Sequence, residues 1–367
     1  MQGCQWYVFF IMKHYLEFKA GNAILDLIRD EGLRPQRVRV LAGPAGGPKW
    51  FVSVGLDRVL MSSGFLQRSG HRVLLVGSSA GAWRCLAMMC RDPLTAYERL
   101  RLAYSRNVFT AEHTPSRISE MLKANVDAFL SDEDIPYVLH HPTFDVAVHT
   151  VRSRGPAASE NKAIQALGIL AAAAANALRP NGSRLLYEPV IFFAAPKPPA
   201  FTSDSFAGRA VPLSEANLRM AALATGSLPY FIAGVKNIPL APRGVYRDGG
   251  ILDYQLNQDY RPGNEGITLF FHYQERIVPG WFDKPFSRRK PKPHYLERVL
   301  QVYPGPDFLQ MLPDGRLPDR DEFITFANNP AERIRRWDEV SEKSEVLGEE
   351  FMNAVESGRI RHLVKSW

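Results

Sequence analysis

Two glycine-rich turns, each placed between a short apolar run and a helical pattern, constrain the fold of this 367-residue chain more than any other feature. The first turn, 42–49, reads AGPAGGPK and follows the β-branched run 38–41. The second, 77–81, reads GSSAG and follows the apolar run 73–76. Strands that alternate with helices in this order form a parallel sheet, and their carboxyl ends meet at one edge. The sequence therefore predicts an α/β fold with the two turns side by side.

The rest of the chain continues the alternation of strands and helices. Strands are predicted at 144–151, 190–194 and 267–273, and helices at 22–31, 50–61, 82–89, 94–104, 163–178, 213–224 and 331–355. Residues 163–178 read AIQALGILAAAAANAL, an apolar run that falls short of the roughly 20 residues of a membrane span. We therefore expect this segment to be a tightly packed core helix.

The composition narrows the class of protein. The formal net charge is +7, and the densest basic stretch, 287–292, reads SRRKPK. Such a charge favours anionic partners, but no nucleic-acid-binding motif accompanies it, so nucleic acid is not expected. The basic stretch is interpreted as a solvated loop or as a contact with lipid headgroups. The three cysteines lack the spacing of a zinc site or a disulfide framework and fit a cytoplasmic protein.

Residues 77–81 match the G-x-S-x-G pattern of a nucleophile elbow, with Ser79 at the centre. In such an elbow a strained strand-to-helix turn presents the serine oxygen, and small flanking residues avoid steric clashes. The alternative is an ordinary turn between a strand and a helix. The apolar run before Ser79 and the helical pattern after it favour the elbow.

The glycine loop 43–49 has two interpretations. Backbone amides at the start of a helix bind anions, so the loop could hold a phosphate group. It lacks the P-loop spacing, however, because Lys49 is followed by Trp50 instead of serine or threonine. Beside a serine nucleophile the same amides would form an oxyanion hole, and those of Gly46 and Gly47 are the candidates.

A serine nucleophile needs a base within hydrogen-bonding reach, and the chain offers two candidates. His272 stands at the end of a predicted strand, where the triad histidine of an α/β-hydrolase would lie. Asp248 precedes Gly249 and Gly250, a pattern that is also common in simple turns. The residues alone leave both candidates open.

The glycine loop, the elbow serine and the distal Asp-Gly-Gly, in this order, resemble the patatin-like phospholipase family over residues 38–256. The stretch 221–231, AALATGSLPYF, is similar to the small-residue helix and proline turn that precede the family's aspartate. The resemblance implies a three-layer α/β sandwich with a mainly parallel central sheet. It also implies a dyad in which Ser79 attacks an ester carbonyl and Asp248 activates the serine. The oxyanion donors would then be the amides of Gly46, Gly47 and Ala80.

The glycine loop departs from the family pattern of three glycines, a variable residue, arginine and glycine. Here Ala45 replaces the first glycine, Lys49 the arginine and Trp50 the last glycine. Lysine keeps the positive charge of the loop but loses the rigid fork of a guanidinium group. Because of these departures, the resemblance specifies the substrate less closely than it specifies the Ser79–Asp248 dyad.

The resemblance implies hydrolysis of a lipid acyl ester through an acyl-enzyme, with no metal ion or organic cofactor and with peripheral membrane contact. Residues 1–20 are expected to form an N-terminal extension and 21–278 the catalytic domain. Residues 279–367 are expected to form a mainly helical basic segment, a lid or a membrane-facing arm. Two alternatives stay open: an esterase of the α/β-hydrolase type with His272 as base, and a catalytically silent lipid-binding or regulatory protein on the same fold.

Overall fold

The computed structural model describes residues 14–110, 112–202 and 206–367, so most of the expected N-terminal extension lies outside the described residues. The strands are β1 (Leu16–Ala20), β2 (Val38–Gly43), β3 (Val73–Ser78), β4 (Phe144–Ser153), β5 (Tyr187–Ala194), β6 (Arg209–Pro212), β7 (Val235–Lys236), β8 (Val245–Asp248), β9 (Ile267–Phe271), β10 (Val299–Pro304) and β11 (Val364–Ser366). The α-helices are α1 (Asn22–Glu31), α2 (Val54–Ser63), α3 (Ala80–Met88), α4 (Pro93–Ser105), α5 (Pro115–Phe129), α6 (Asp134–Leu139), α7 (Lys162–Leu178), α8 (Leu218–Thr225), α9 (Pro293–Leu296), α10 (Pro306–Leu309), α11 (Glu322–Thr325), α12 (Pro330–Lys343), α13 (Glu345–Glu356) and α14 (Ile360–Leu363).

The strands form one mixed sheet in the order β11–β1–β10–β9–β2–β3–β4–β5–β6, with β8 paired to β4 and β7 paired to β8. The central strands β10, β9, β2, β3 and β4 are parallel to their neighbours in this run. Antiparallel pairs join β1 to β10, β4 to β5, β4 to β8 and β7 to β8. The predicted α/β class and mostly parallel sheet are confirmed.

Both ends of the described chain contribute strands to this sheet. β1 carries three buried residues at alternate positions and lies between β10 and β11. β10 lies between β1 and β9, so the segment after residue 278 contributes a strand to the sheet as well as helices. β1 and β11 are too short for their alternation to be recognised in the sequence.

Apolar side chains cover both faces of the central strands because successive residues of a strand point to opposite faces. Leu41 and Leu75 lie in a large cluster that also includes buried residues of α2, α3, α8, α12 and α13. Val40 and Val76 lie in a second cluster together with loop residues such as Leu256. The sheet is therefore buried on both faces, by helices on the side of Leu41 and by loop segments together with α7 on the side of Val40.

The segment predicted as one helix over 331–355 forms two helices, α12 and α13, which meet at Ser344. The Ser344 hydroxyl accepts a hydrogen bond from the Gly55 amide at 2.9 Å and donates one to the Ser341 carbonyl at 2.6 Å. A β-carbon added to Gly55 would lie 2.0 Å from the Ser344 carbonyl oxygen, so α2 and the start of α13 touch through their backbones. Such a long-range contact leaves no periodic pattern in the sequence.

The prediction of a tightly packed core helix over 163–178 is wrong for one face of α7. The buried residues of α7 are Gln165, Gly168, Ala172 and Asn176. Its exposed large apolar residues are Ile164, Leu167, Leu170 and Leu178, whose exposed fractions are 47%, 64%, 64% and 90%. A β-carbon added to Gly168 would lie 2.4 Å from the Ala157 nitrogen, so the packed face lies directly against backbone. Small residues fit that contact, and the larger ones remain in solvent.

Candidate active site

The site is created where two strands meet end to end along one edge of β4. β5 occupies one edge of β4 throughout its second half, so β3 and β8 share the other edge. Ser78 of β3 pairs with His149, and Asp248 of β8 pairs with the next residue of β4, Thr150. Because β3 is parallel and β8 antiparallel to β4, the two strands run towards each other. The last residue of β8, Asp248, therefore lies beside Ser79, the residue that follows β3.

Ser79 occupies the strained turn expected of a nucleophile elbow. It has φ 55° and ψ −129°, it immediately precedes α3, and it is 5% exposed. Residues other than glycine rarely adopt this backbone conformation, and such strain is concentrated at functional sites. The Ser79 amide donates to Thr225 Oγ1 at 2.8 Å, and the Thr225 hydroxyl donates to the His149 carbonyl at 2.5 Å. These bonds hold the strained turn against β4.

The glycine loop and the elbow touch through their backbones, as the sequence predicts for two turns at the same edge of a sheet. A β-carbon added to Gly81 would lie 2.1 Å from the Gly43 carbonyl oxygen, and one added to Gly43 would lie 2.7 Å from the Gly81 oxygen. Distances this short exclude any side chain at either position. The glycines of the two motifs are therefore required for the loop to approach Ser79.

Asp248 is 3% exposed and is held by backbone groups. Its Oδ1 atom accepts a hydrogen bond from the Gly250 amide at 2.8 Å, and its own amide donates to the Ser227 carbonyl at 3.1 Å. Burial raises the pKa of Asp248 above its ordinary value, while Arg320, the Gly250 amide and the Ser79 hydroxyl lower it. A carboxylate in these surroundings has a raised affinity for a proton and lies within reach of the serine that would release one.

The amides predicted to form the oxyanion hole lie at the end of the glycine loop and at the start of α3. Within the part of the chain that the structure describes, no hydrogen-bond acceptor is found for the backbone amides of Gly46, Gly47 and Ala80. The neighbouring residue Ala45 is fixed on both sides, since its amide donates to the Tyr254 carbonyl at 2.8 Å and its carbonyl accepts from the Tyr273 hydroxyl at 2.9 Å. The loop is thus anchored next to these donors.

Arg320 lies on the glycine loop, a contact that the sequence did not predict. A β-carbon added to Gly47, which has φ 60°, would lie 2.6 Å from Arg320 Nε. Arg320 is half-buried, and no ion pair or hydrogen bond of its guanidinium group is found among residues 14–110, 112–202 and 206–367. Burial lowers its pKa, but Tyr104, Tyr254 and Asp248 outweigh burial and raise it. The site therefore holds a cation that has no ion-pair partner among the described residues and whose charge acts on Asp248.

Lys49, predicted to supply the charge of the loop, forms an ion pair with Asp319, the residue before Arg320. Burial lowers the pKa of Lys49. The ammonium group of Lys49 is therefore engaged by a carboxylate, whereas no carboxylate of the described residues lies within ion-pair distance of the Arg320 guanidinium group. The segment that carries Asp319 and Arg320 is far from the loop in sequence, and no motif marks it.

A second cation, Lys284, lies at the exposed side of the site. Its Nζ atom is 4.3 Å from the centre of the Tyr254 ring. Burial would raise the pKa of Tyr254, but Lys284 and Arg320 outweigh burial and the pKa is lowered. The site thus combines a buried carboxylate with two cations that come from the part of the chain after residue 278.

His272, the alternative base, is held elsewhere. It is 0% exposed, and its Nδ1 atom lies within hydrogen-bonding distance of the Gln274 carbonyl oxygen and 3.2 Å from Gln301 Nε2. Burial lowers its pKa to about 3, so the ring is neutral at physiological pH. Among the described residues its contacts lie with β9 and β10, and no contact with Ser79 is found.

The helix that follows Ser79, α3, is joined to α2 by a buried ion pair between Arg84 and Asp57. Arg84 is 4% exposed and Asp57 1%, and the guanidinium group meets the carboxylate through two contacts of 2.6 Å and 2.9 Å. The Tyr97 hydroxyl donates to the same carboxylate. Burial lowers the pKa of Arg84, but the attraction of Asp57 outweighs it, so Arg84 remains charged.

The two tryptophans that flank the site in the sequence, Trp50 and Trp83, belong to the main core cluster.

The described residues contain no group of three or more His, Cys, Asp or Glu side chains that could hold a metal ion. No helix in that part of the chain is long and apolar enough to cross a bilayer. A comparison of the sequence with models of protein families finds no match, and a comparison with curated proteins finds none either.

Proposed function

We propose that this protein is a serine acyl-ester hydrolase that uses Ser79 as nucleophile and Asp248 as base. The observation that carries the proposal is the end-to-end meeting of β3 and β8, which brings a strained, buried serine to a buried carboxylate of raised pKa. Perturbed carboxylates next to a nucleophile are typical of catalytic sites.

The reaction proceeds in two steps. Asp248 takes the proton from Ser79 Oγ as that oxygen attacks the ester carbonyl carbon, and the amides of Gly46, Gly47 and Ala80 stabilise the oxyanion. Collapse of the tetrahedral intermediate breaks the ester bond, and the departing alcohol takes the proton from Asp248. Water then loses a proton to Asp248 and attacks the acyl carbon. The bond between that carbon and Ser79 Oγ breaks, the acid leaves, and Oγ takes the proton back from Asp248.

The resemblance to patatin-like phospholipases supports the proposal and extends it to a three-layer α/β sandwich. It also gives Arg320 a role. The family's loop has an arginine where this chain has Lys49, and Lys49 is paired with Asp319. The guanidinium group of Arg320 lies against Gly47 instead. We propose that Arg320 takes the place of the loop arginine from a distant part of the chain.

Two alternatives to the dyad are less well supported. An α/β-hydrolase mechanism requires His272 to accept a proton from Ser79, but the ring contacts the Gln274 carbonyl and Gln301 of β10, and its pKa is lowered to about 3. A catalytically silent lipid-binding protein would have no need of a strained serine beside a buried carboxylate. The labelling experiment below separates this second alternative from the hydrolase.

The cations at the site favour an ester that carries an anionic group. Arg320 is half-buried and has no ion-pair partner in the described part of the chain, and the exposed Lys284 acts with it on Tyr254. A phosphate or carboxylate group would supply the partner that the guanidinium group lacks, and arginine binds such groups through two parallel hydrogen bonds. We therefore propose a phosphate-bearing lipid ester as the substrate class.

A fluorophosphonate probe should phosphonylate the wild-type protein once, at Ser79, with fluoride as the leaving group. The strained turn exposes the Ser79 hydroxyl to the site, and Asp248 accepts the proton that the reaction releases. Peptide mass spectrometry locates the adduct. Ser78→Ala is the matched control, because it removes the neighbouring hydroxyl and should keep the label, whereas Ser79→Ala should lose it. A label that survives in Ser79→Ala, or a folded wild-type protein that takes none, contradicts the proposal.

Arg320→Gln should move the acid limb of the pH–activity profile to higher pH. Arg320 lowers the pKa of Asp248, so its removal lets that pKa rise, and the carboxylate becomes protonated sooner as the pH falls. The variant should also lose about tenfold of its preference for a phosphate-bearing ester over a neutral one. Both effects are read from kcat/KM between about pH 4 and pH 9.

Arg316→Gln provides the control for this variant, because Arg316 belongs to the same segment and its side chain is 77% exposed. It should leave the acid limb and the ester preference unchanged. An acid limb that moves to lower pH in Arg320→Gln, or does not move, shows that Arg320 does not act on Asp248.

A further inference from the structure

We infer that the exposed face of α7, together with the basic segment 287–292, is a docking surface for anionic lipid bilayers. This inference does not rest on the hydrolase chemistry, because the surface lies outside the Ser79–Asp248 pair. A membrane is the occupant that the shape and the charge of this surface fit.

α7 presents a strip of large apolar side chains to solvent. Leu167 and Leu170 are each 64% exposed, Ile164 is 47% exposed and Leu178 is 90% exposed. No charged residue lies between Lys162 and Arg179, the two exposed cations at its ends. A 17-residue helix is about 25 Å long, so the apolar strip is long enough to lie in the plane of the headgroups with a cation at either end.

The basic segment 287–292 lies against the carboxyl end of this helix. Arg289 donates to the Ala177 carbonyl at 3.0 Å and pairs with Asp283 at 2.8 Å. Asp283 in turn accepts a hydrogen bond from Asn176 of α7 at 2.8 Å. The sequence left open whether 287–292 is a simple solvated loop, and these contacts show that it borders an exposed apolar face.

The charge of this surface is of one sign. Arg288, Lys290 and Lys292 are exposed, and none of them forms an ion pair with another described residue. The sequence has no acidic residue between Glu160 and Glu188, a stretch that contains all of α7. An apolar strip next to unpaired cations complements the acyl chains and phosphates of an anionic membrane, and the two attractions act together.

The docking surface is connected to the candidate active site through one turn. Asp283, which anchors α7, is followed directly by Lys284, whose ammonium group lies 4.3 Å from the Tyr254 ring. Trp281 and Phe282 of the same turn pack with Ile251 and Leu252, just after the Asp248 motif. A protein docked through α7 would therefore hold the cationic side of the site near the bilayer surface.

The test is co-sedimentation of the full chain with sucrose-loaded vesicles, made either of phosphatidylcholine alone or of phosphatidylcholine mixed with phosphatidylglycerol. Wild type should bind the mixed vesicles and bind phosphatidylcholine only weakly. Leu167→Glu with Leu170→Glu should reduce the partition coefficient on mixed vesicles by at least about tenfold, since two leucines can no longer enter the interface. Arg288→Glu with Lys290→Glu should reduce it by about tenfold or more on mixed vesicles alone.

Two control variants match these changes elsewhere on the surface. Leu94→Glu with Leu240→Glu places the same charge at two leucines outside α7, which are 44% and 70% exposed. Arg117→Glu with Lys123→Glu on α5 changes the net charge by the same amount as the basic-segment variant. Both should bind as wild type does, and all variants should keep the wild-type melting temperature because the changed residues are exposed.

The proposal is overturned if wild type does not bind mixed vesicles, or if Leu167→Glu with Leu170→Glu binds them as wild type does. It is also overturned if wild type is a dimer that this variant dissociates while neither binds vesicles, since a second copy would then cover α7. Ser79→Ala should bind as wild type does. Retained binding with lost turnover separates the docking surface from the proposed hydrolase activity.

Discussion

Replacing Asp248 by asparagine should lower kcat for ester hydrolysis by between about 10²- and 10⁴-fold, the usual contribution of a general base. The asparagine oxygen can still accept the hydrogen bond from the Gly250 amide, so the backbone around the site should keep its shape. What is lost is the ability to take a proton from Ser79. The measurement is turnover of a short-chain chromogenic ester over a range of pH.

Three variants place limits on this result. Ser79→Ala should be at least as inactive as Asp248→Asn, and the double variant should be no worse than Ser79→Ala, because the two residues act as one unit. His272→Ala should retain turnover if it folds, since its ring lies with Gln274 and Gln301. Turnover that survives Asp248→Asn but not His272→Ala would assign the base to the histidine.

Asp57→Ala should lower the free energy of unfolding by about 3–5 kcal/mol. The substitution leaves the guanidinium group of Arg84 charged in the core without its carboxylate, and it removes the acceptor of the Tyr97 hydroxyl. An uncompensated buried charge is among the most destabilising single changes in a protein. Denaturant-induced unfolding, followed by tryptophan fluorescence, measures the change.

Two comparison variants distinguish the destabilisation caused by an unpaired buried charge from that caused by the loss of an ion-pair contact. Arg84→Met in the Asp57→Ala background should recover part of the lost stability, because no buried charge remains. Glu120→Ala removes a carboxylate from the exposed pair with Arg117 and should change stability by less than about 1 kcal/mol. An Asp57→Ala variant as stable as Glu120→Ala would show that water reaches Arg84 and that the pair is not truly buried.

The elements that carry local signals could be predicted from the sequence. β2, β3 and α3 follow from apolar runs that end in glycine turns, and the elbow at Ser79 follows from residues 77–81. The contact between the two turns could also be foreseen, because strands joined by a right-handed crossover end at the same edge. Asp248 could be proposed only from a resemblance, since an aspartate before two glycines is as common in turns.

The parts of the site that depend on distant segments could not be predicted. Arg320 and Lys284 reach the glycine loop and Tyr254 from a region in which no motif stands out. The sequence does not reveal that one face of α7 is exposed, because an alanine-rich apolar helix has the same composition whether one face or all of it is buried. Whether a leucine lies in the core or in solvent is decided by the neighbouring elements, and sequence periodicity does not identify them.

The meeting of β3 and β8 along β4 also bears on how the protein folds. Neither strand end forms a site alone, and the three strands that must pair come from residues 73–78, 144–153 and 245–248. Contacts between segments so far apart in the chain form slowly because long loops must close first. During refolding, secondary structure and chain collapse should therefore precede the reactivity of the Ser79 hydroxyl. The rate at which that reactivity returns then reports the last stage of folding.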